Sequence, residues 1–383
     1  MSVQPFTIGV PQATLDDLHE RLVRTRWPDE VADVGWDYGT NLAYLKELVE
    51  YWQNQFDWRA QEAKLNQFAH FRAEIDGVGI HFIHERGNGP NPLPIILTHG
   101  WPDSFYRFQK IIPMLTNPER YGGNADDSFD VIVPSIPGFG FSDRKAMASS
   151  AVADTWAKLM TDVLGYTRFA AGGGDVGSGV TMALALQHPD VVSAIHLTDV
   201  GYSTGQEDGS TMSEAEQQFA GFIERWWFME GAYAALQMTK PQSLAFGLND
   251  SPVGWAAWVL SFINTGAQDN LVEAAFGGRD ELLTNIMIYW ATQTAGSSAR
   301  MYLEDARASY AQESGPKPEV HSRVPAGIAL FPREAQFPRE TAERSLNVQH
   351  WTEMPRGGHF AALEEPELLV EDLRTFFRQF RTA

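Results

Sequence analysis

The run Gly172-Gly173-Gly174-Asp175-Val176-Gly177 constrains this chain more than any other segment. The residues before it, Tyr166 to Ala171, end apolar like a strand. Those after it, Val180 to Leu186, are apolar and alanine-rich like a buried helix. A strand, a sharp glycine-flanked turn and a helix form a nucleophile elbow, which lifts one side chain above a sheet. The elbow usually carries serine; here its centre is Asp175. An aspartate nucleophile suits attack on an sp3 carbon, forming an alkyl ester that water must then cleave. The plainer alternative is a glycine-rich βα turn with a capping Asp, or a phosphate loop, but no Gly-Lys-Ser/Thr follows.

Such an elbow needs a large sheet around it, and 383 residues are enough to bury one. The net charge of −20, from 29 basic and 49 acidic residues, argues against nucleic acid and anionic membranes as partners. Solubility in a crowded cytosol is the simpler use of that charge, and a cytoplasmic location is the expectation. The chain has no cysteine, which excludes disulfides, thiolate catalysis and Cys–zinc sites. Residues 1–10 lack a cationic start and an apolar core, so no signal peptide is expected. No run of about 18 uncharged apolar residues is long enough to span a membrane.

Residues 1–70 read as helical. Thr14-Leu15-Asp16-Asp17 resembles a capping box, and Leu45, Leu48, Val49 and Trp52 repeat at helical spacing. From Phe71 onward strands and helices alternate. The strand candidates are 71–75, 80–84, 94–98, 131–134, 168–171, 194–200, 327–331 and 348–353, with an amphipathic helix over 152–164. That alternation predicts an α/β class with a mostly parallel sheet covered on both faces. It stops near Gly201. Residues 205–304 are rich in Trp, Phe, Ala and Met without clear strands and read as a helical cap. A last amphipathic helix spans 366–380. The expected division is therefore an N-terminal helical extension (1–70), a first core part (71–204), a cap (205–304) and a second core part (305–383).

Other motifs surround the elbow. His99-Gly100-Trp101-Pro102 directly follows the 94–98 strand, where a loop aims backbone N–H groups at the space above Asp175. The oxyanion donors would be the N–H groups of Trp101 and Val176. His359, in Arg356-Gly357-Gly358-His359-Phe360, follows the last strand and is the candidate base. The acid that orients it should end an earlier strand. Glu334, in Phe331-Pro332-Arg333-Glu334, completes the order nucleophile–acid–base, and Asp199 at the end of the 194–200 strand is its competitor. A literal G-x-S-x-G stands at Gly201-Tyr202-Ser203-Thr204-Gly205, but a polar loop follows it instead of an apolar helix. Ser178 is flanked by Val176 and Val180, where small residues are required.

Together Gly-Gly-Asp-x-Gly, His-Gly-Trp-Pro, Phe-Pro-x-Glu and Arg-Gly-Gly-His-Phe-Ala-Ala resemble the microsomal-type epoxide hydrolases across nearly the whole chain. The segments 248–254 and 285–290 fit as well. The resemblance implies an α/β-hydrolase fold and cofactor-independent, metal-free hydration of an epoxide to a vicinal diol. It implies two cap tyrosines that protonate the epoxide oxygen, Tyr233 and Tyr302, which composition and spacing do not single out from Tyr289 or Tyr310. It implies a small-molecule epoxide and water as partners; the aromatic cap suggests an apolar or aromatic epoxide, and a homodimer is compatible with the family. Val176 departs from the aromatic residue that often follows the nucleophile. The resemblance is to soluble bacterial-type members, so the N-terminal membrane anchor of mammalian members is not expected. Rival readings are a haloalkane dehalogenase, for which Val176 supplies no indole N–H, a serine esterase resting on Ser203, and a non-enzymatic binding protein.

Overall fold

The apolar runs that follow the N-terminal region become neighbouring strands whose both faces are covered, which is why they alternate so little. The computed structural model describes residues 2–201, 211–312 and 321–381. Its strands are β1 (Val3–Pro5), β2 (His70–Ile75), β3 (Val78–Glu85), β4 (Leu93–Thr98), β5 (Phe129–Pro134), β6 (Phe169–Gly173), β7 (Val192–Leu197), β8 (Pro325–Leu330) and β9 (Asn347–Glu353). They form one nine-stranded sheet in the order β1-β2-β3-β5-β4-β6-β7-β8-β9. The β1-β2-β3-β5 side is antiparallel, and β5-β4-β6-β7-β8-β9 is parallel. The mostly parallel α/β sheet expected from the alternation is thus present. All of β5 is buried, whereas the edge strand β9 is only partly so.

The chain leaves β4 to make β5 on one side and then crosses to make β6 on the other. Loops following β4 and β6 therefore diverge, opening a crevice at the carboxyl edge, the place where open α/β sheets bind ligands. The His99–Pro102 loop and the Asp175 elbow lie at this switch point.

In the N-terminal region, helices α1 (Gln12–Val23), α2 (Leu42–Asn54) and α3 (Trp58–Leu65) bear out the helical reading, and Leu45, Leu48, Val49 and Trp52 form the buried face of α2. Two expectations need correction. α1 starts at Gln12 behind Pro11 with no side-chain cap, so Thr14 lies in its first turn; the proline already presets φ at −57°. The segment 3–5 is a strand, invisible in the sequence because it is short and exposed at every position. α4 (Ile111–Thr116), α5 (Ser149–Lys158) and α6 (Val176–Gln187) cover the sheet, and a π turn over Leu159–Val163 extends α5.

Between β7 and β8 the chain is helical: α7 (Glu214–Met229), α8 (Ala232–Thr239), α9 (Pro241–Asp250), α10 (Pro252–Gly266), α11 (Val272–Phe276), α12 (Arg279–Thr292), α13 (Ala295–Ser298) and α14 (Arg300–Gln312). The N-terminal helices touch this insertion through Tyr51 Oη on Asp280 Oδ1 at 2.8 Å and Arg21 on Asp250 at 2.8 Å. α15 (Arg339–Glu343), α16 (Ala361–Glu364) and α17 (Pro366–Phe377) complete the fold. Among the described residues no helix is long and apolar enough to cross a membrane.

The elbow explains its own glycines. A Cβ on Gly177 would lie 2.1 Å from the Thr98 carbonyl oxygen, so α6 packs against β4 only without one. Gly177→Ala is expected to cost roughly 3 kcal/mol through overpacking, measured as a lowered urea midpoint.

Candidate active site

Asp175 occupies the turn between β6 and α6 at φ 58°, ψ −133°, a strained region for a residue with a Cβ. Asp199 braces this turn. Its buried carboxylate accepts the Asp175 N–H at 2.5 Å, the Ser178 hydroxyl at 3.0 Å and the Gly201 N–H at 3.2 Å. Asp199 therefore holds the elbow backbone, while the imidazole lies against Glu334. Ser178 is buried and donates to Asp199, and Ser203 lies outside the described residues.

The loop after β4 reaches over the elbow. Trp101 N–H donates to Asp175 Oδ1 at 2.8 Å, and the Val176 N–H also binds this carboxylate. The carboxylate thus meets both backbone donors expected for an oxyanion. Gly100 makes the approach feasible, since a Cβ there would fall 2.4 Å from Asp175 Oδ1. The loop is fixed from the insertion: Asn285 Nδ2 donates to Pro102 O at 2.9 Å, and Tyr289 Oη donates to Asp103 O. That contact assigns Tyr289 to loop support. Tyr310 is 69 % exposed.

His359 lies on the loop after β9, its N–H bonded to Gly266 O at 2.9 Å. Its Nδ1 is 2.8 Å from Glu334 Oε1, and its Nε2 is 3.6 Å from Asp175 Oδ2. Burial disfavours the imidazolium, but the Glu334 and Asp175 charges outweigh it and raise His359 to about 9. Burial likewise raises Asp175, opposed by His359 and the two backbone donors. Asp199 is pushed up to about 7 by burial and by its neighbours Glu334 and Asp175.

Tyr233 stacks on Trp101, with ring centroids 5.3 Å apart, and Tyr302 meets Trp101 edge-on at 6.0 Å. The two tyrosine rings are 6.3 Å apart. Burial and the Asp175 charge raise both phenols above their ordinary value, so they stay neutral and able to donate. Tyr233 lines a cavity of about 700 Å³ together with Trp101, Asp175, Glu334 and His359. Residues of α7 spaced along one helical face, Phe219, Phe222 and Trp226, line it opposite Phe262. A larger groove of about 900 Å³ lies between the N-terminal helices and α9–α10 and holds none of these groups.

The sequence reading missed Asp103 and Arg107, a buried pair beneath the site. Their i,i+4 spacing was a signal, but charged residues at that spacing ordinarily face solvent. Among the described residues no cluster of three His, Cys, Asp or Glu side chains is arranged to hold a metal ion.

The chain is similar to known proteins over nearly its whole length. Residues 3–108 match the family "Epoxide hydrolase N terminus", and residues 94–237 match "alpha/beta hydrolase fold". A protein of Stigmatella aurantiaca, assigned by name to the epoxide hydrolases, is 44% identical over 99% of this chain and 86% of its own. Epoxide hydrolase 1 of Sus scrofa is 37% identical over 98% of this chain and 88% of its own. The solved structure of juvenile hormone epoxide hydrolase from Bombyx mori superposes with a TM-score of 0.84 at 28% identity, covering 99% of this chain and 94% of that one.

Proposed function

The chain belongs to the epoxide hydrolases of the α/β-hydrolase fold, and from that membership we propose a two-step route by which it hydrates an epoxide through an ester on Asp175. The observation that carries the proposal is the carboxylate itself. Asp175 Oδ1 rests on the Trp101 N–H, while Oδ2 lies 3.6 Å from His359 Nε2. Oδ2 attacks a ring carbon, and the C–O bond to the departing oxygen breaks. Tyr233 and Tyr302 donate hydrogen bonds to that oxygen, which takes its proton, in net terms, from the imidazolium. The ester is neutral, so the attraction that kept His359 protonated weakens, and the imidazole becomes a base.

In the second step His359, oriented by Glu334, takes a proton from water as the oxygen attacks the ester carbonyl. The N–H groups of Trp101 and Val176 hold the developing oxyanion, each contributing about 3 kcal/mol. Collapse releases the diol and restores the Asp175 carboxylate and the imidazolium. The site needs no cofactor for this cycle. The apolar wall of Phe219, Phe222, Trp226 and Phe262 supports an apolar or aromatic epoxide. A cytoplasmic location, and the division into extension, two-part core and cap at 1–70, 71–204, 205–304 and 305–383, belong to the same reading.

A single turnover in 18O-labelled water tests the route. The first diol is expected to carry unlabelled oxygen from Asp175, with the label entering the protein at that residue. Label in the first-turnover diol and none in the protein would replace the route by direct attack of water.

A further inference from the structure

The Asp103–Arg107 pair takes no part in either step above, yet it joins the two loops that do. Arg107 is 2 % exposed and Asp103 1 %. Arg107 Nη1 donates to Asp103 Oδ2, whose other oxygen accepts the Gly100 N–H at 2.7 Å, next to the Trp101 donor. Arg107 Nη2 donates to the His359 carbonyl at 2.5 Å. The guanidinium passes close to the elbow as well: a Cβ on Gly174 would lie 2.8 Å from Nη2, so the glycine before the nucleophile leaves it room. A buried ion pair is a poor way to gain stability, because desolvation offsets its attraction and well-packed apolar residues do as well. Its geometry suits another purpose, since a planar fork fixes two acceptors at once where an ammonium would not.

We propose that Arg107 is a positioning residue for the second half-reaction, fixing the main chain of His359 against the oxyanion loop and holding a positive charge beside the imidazole that must act as base. Four carboxylates favour the imidazolium: Glu334 from the loop after β8, Asp175 and Asp199 at the elbow, and Glu364 of α16. Arg107 opposes them. Alkylation of Asp175 removes one of the four, and the guanidinium then helps the imidazole release its proton. Without it the ester would form and wait.

The test rests on the proposed role of His359 and measures the two half-reactions separately, by rapid quench and mass spectrometry of the Asp175 ester. Two variants are compared, Arg107→Lys and the double variant Asp103→Asn/Arg107→Gln, which leaves no unpaired carboxylate. For the double variant, ester formation is expected within about threefold of normal, while hydrolysis near pH 7 slows roughly 10- to 100-fold. The pKa governing hydrolysis should rise by roughly one unit. Arg107→Lys keeps the charge but not the fork, so its hydrolysis should slow with that pKa unmoved, and this decides the matter if the double variant does not fold. Equal slowing of both half-reactions in Arg107→Lys, or an unmoved pKa in a folded double variant, overturns the proposal. His359→Gln runs alongside. If no ester forms on Asp175 in that variant or in the parent, the underlying route fails instead.

Discussion

Replacing His359 with Gln is expected to yield a protein that alkylates itself once and stops. Glutamine keeps much of the shape of imidazole but cannot take a proton. The first half-reaction keeps Asp175, its two backbone donors and the tyrosines, and the departing oxygen takes its proton from water in place of the imidazolium. It should still slow, by up to about tenfold, because the imidazolium helps keep the buried Asp175 carboxylate ionised. Hydrolysis loses its base and should fall by roughly 10³-fold or more. Incubation with an epoxide should raise the protein mass by that of the substrate, and peptide mapping should locate the addition at Asp175. The pH dependence gives a second check. In the resting enzyme His359 is an imidazolium up to about 9, so ester formation should decline as pH passes that value. Hydrolysis has the opposite sign, rising with pH through the lower pKa that His359 has once Asp175 is esterified. In His359→Gln the decline near pH 9 should vanish. An unmodified protein, or a modification on another residue, would sink the two-step route.

What the sequence shows of this site depends on whether backbone or side chains enforce it. The elbow is legible because backbone contacts require its glycines: Gly177 lies against Thr98 and Gly100 against Asp175, and neither tolerates a Cβ. His359 is legible for a related reason, as a glycine-flanked loop after a strand marks the carboxyl edge of the sheet. The choice between Glu334 and Asp199 is harder. Both follow strands near the nucleophile, and only three dimensions show that Asp199 accepts the elbow N–H while Glu334 meets the imidazole. The tyrosines lie further from reach, since Tyr289 is as aromatic and as buried as a candidate could be. Only the family resemblance set Tyr233 and Tyr302 apart. The Asp103–Arg107 pair left still less trace, because burial of charge follows no sequence period. The three exposed residues of β1 gave no pattern at all, as pairing with β2 depends on backbone hydrogen bonds rather than on side-chain burial.

The tyrosine pair carries the other large expected effect. Substituting both Tyr233 and Tyr302 with Phe removes the hydroxyls and keeps the rings that pack on Trp101. An epoxide oxygen leaving without a donor must bear nearly a full charge in a cavity walled by aromatic rings. One such donor is worth roughly 10²- to 10³-fold, and losing both should slow ester formation by about 10⁴-fold or more. Hydrolysis of an ester already formed should change by less than about threefold, since its charge develops at Trp101 and Val176 instead. Tyr289→Phe is the matched control. Its hydroxyl donates to the Asp103 carbonyl, so its loss should cost about 1 kcal/mol of stability without separating the two half-reactions. The single variants should differ as well. Tyr233 is part of the cavity wall, so Tyr233→Phe should slow ester formation more than Tyr302→Phe. Pre-steady-state ester formation measured in the four variants decides this. A double variant that alkylates at a near-normal rate removes both phenols from the mechanism, and equal single effects remove the ranking that the cavity wall implies.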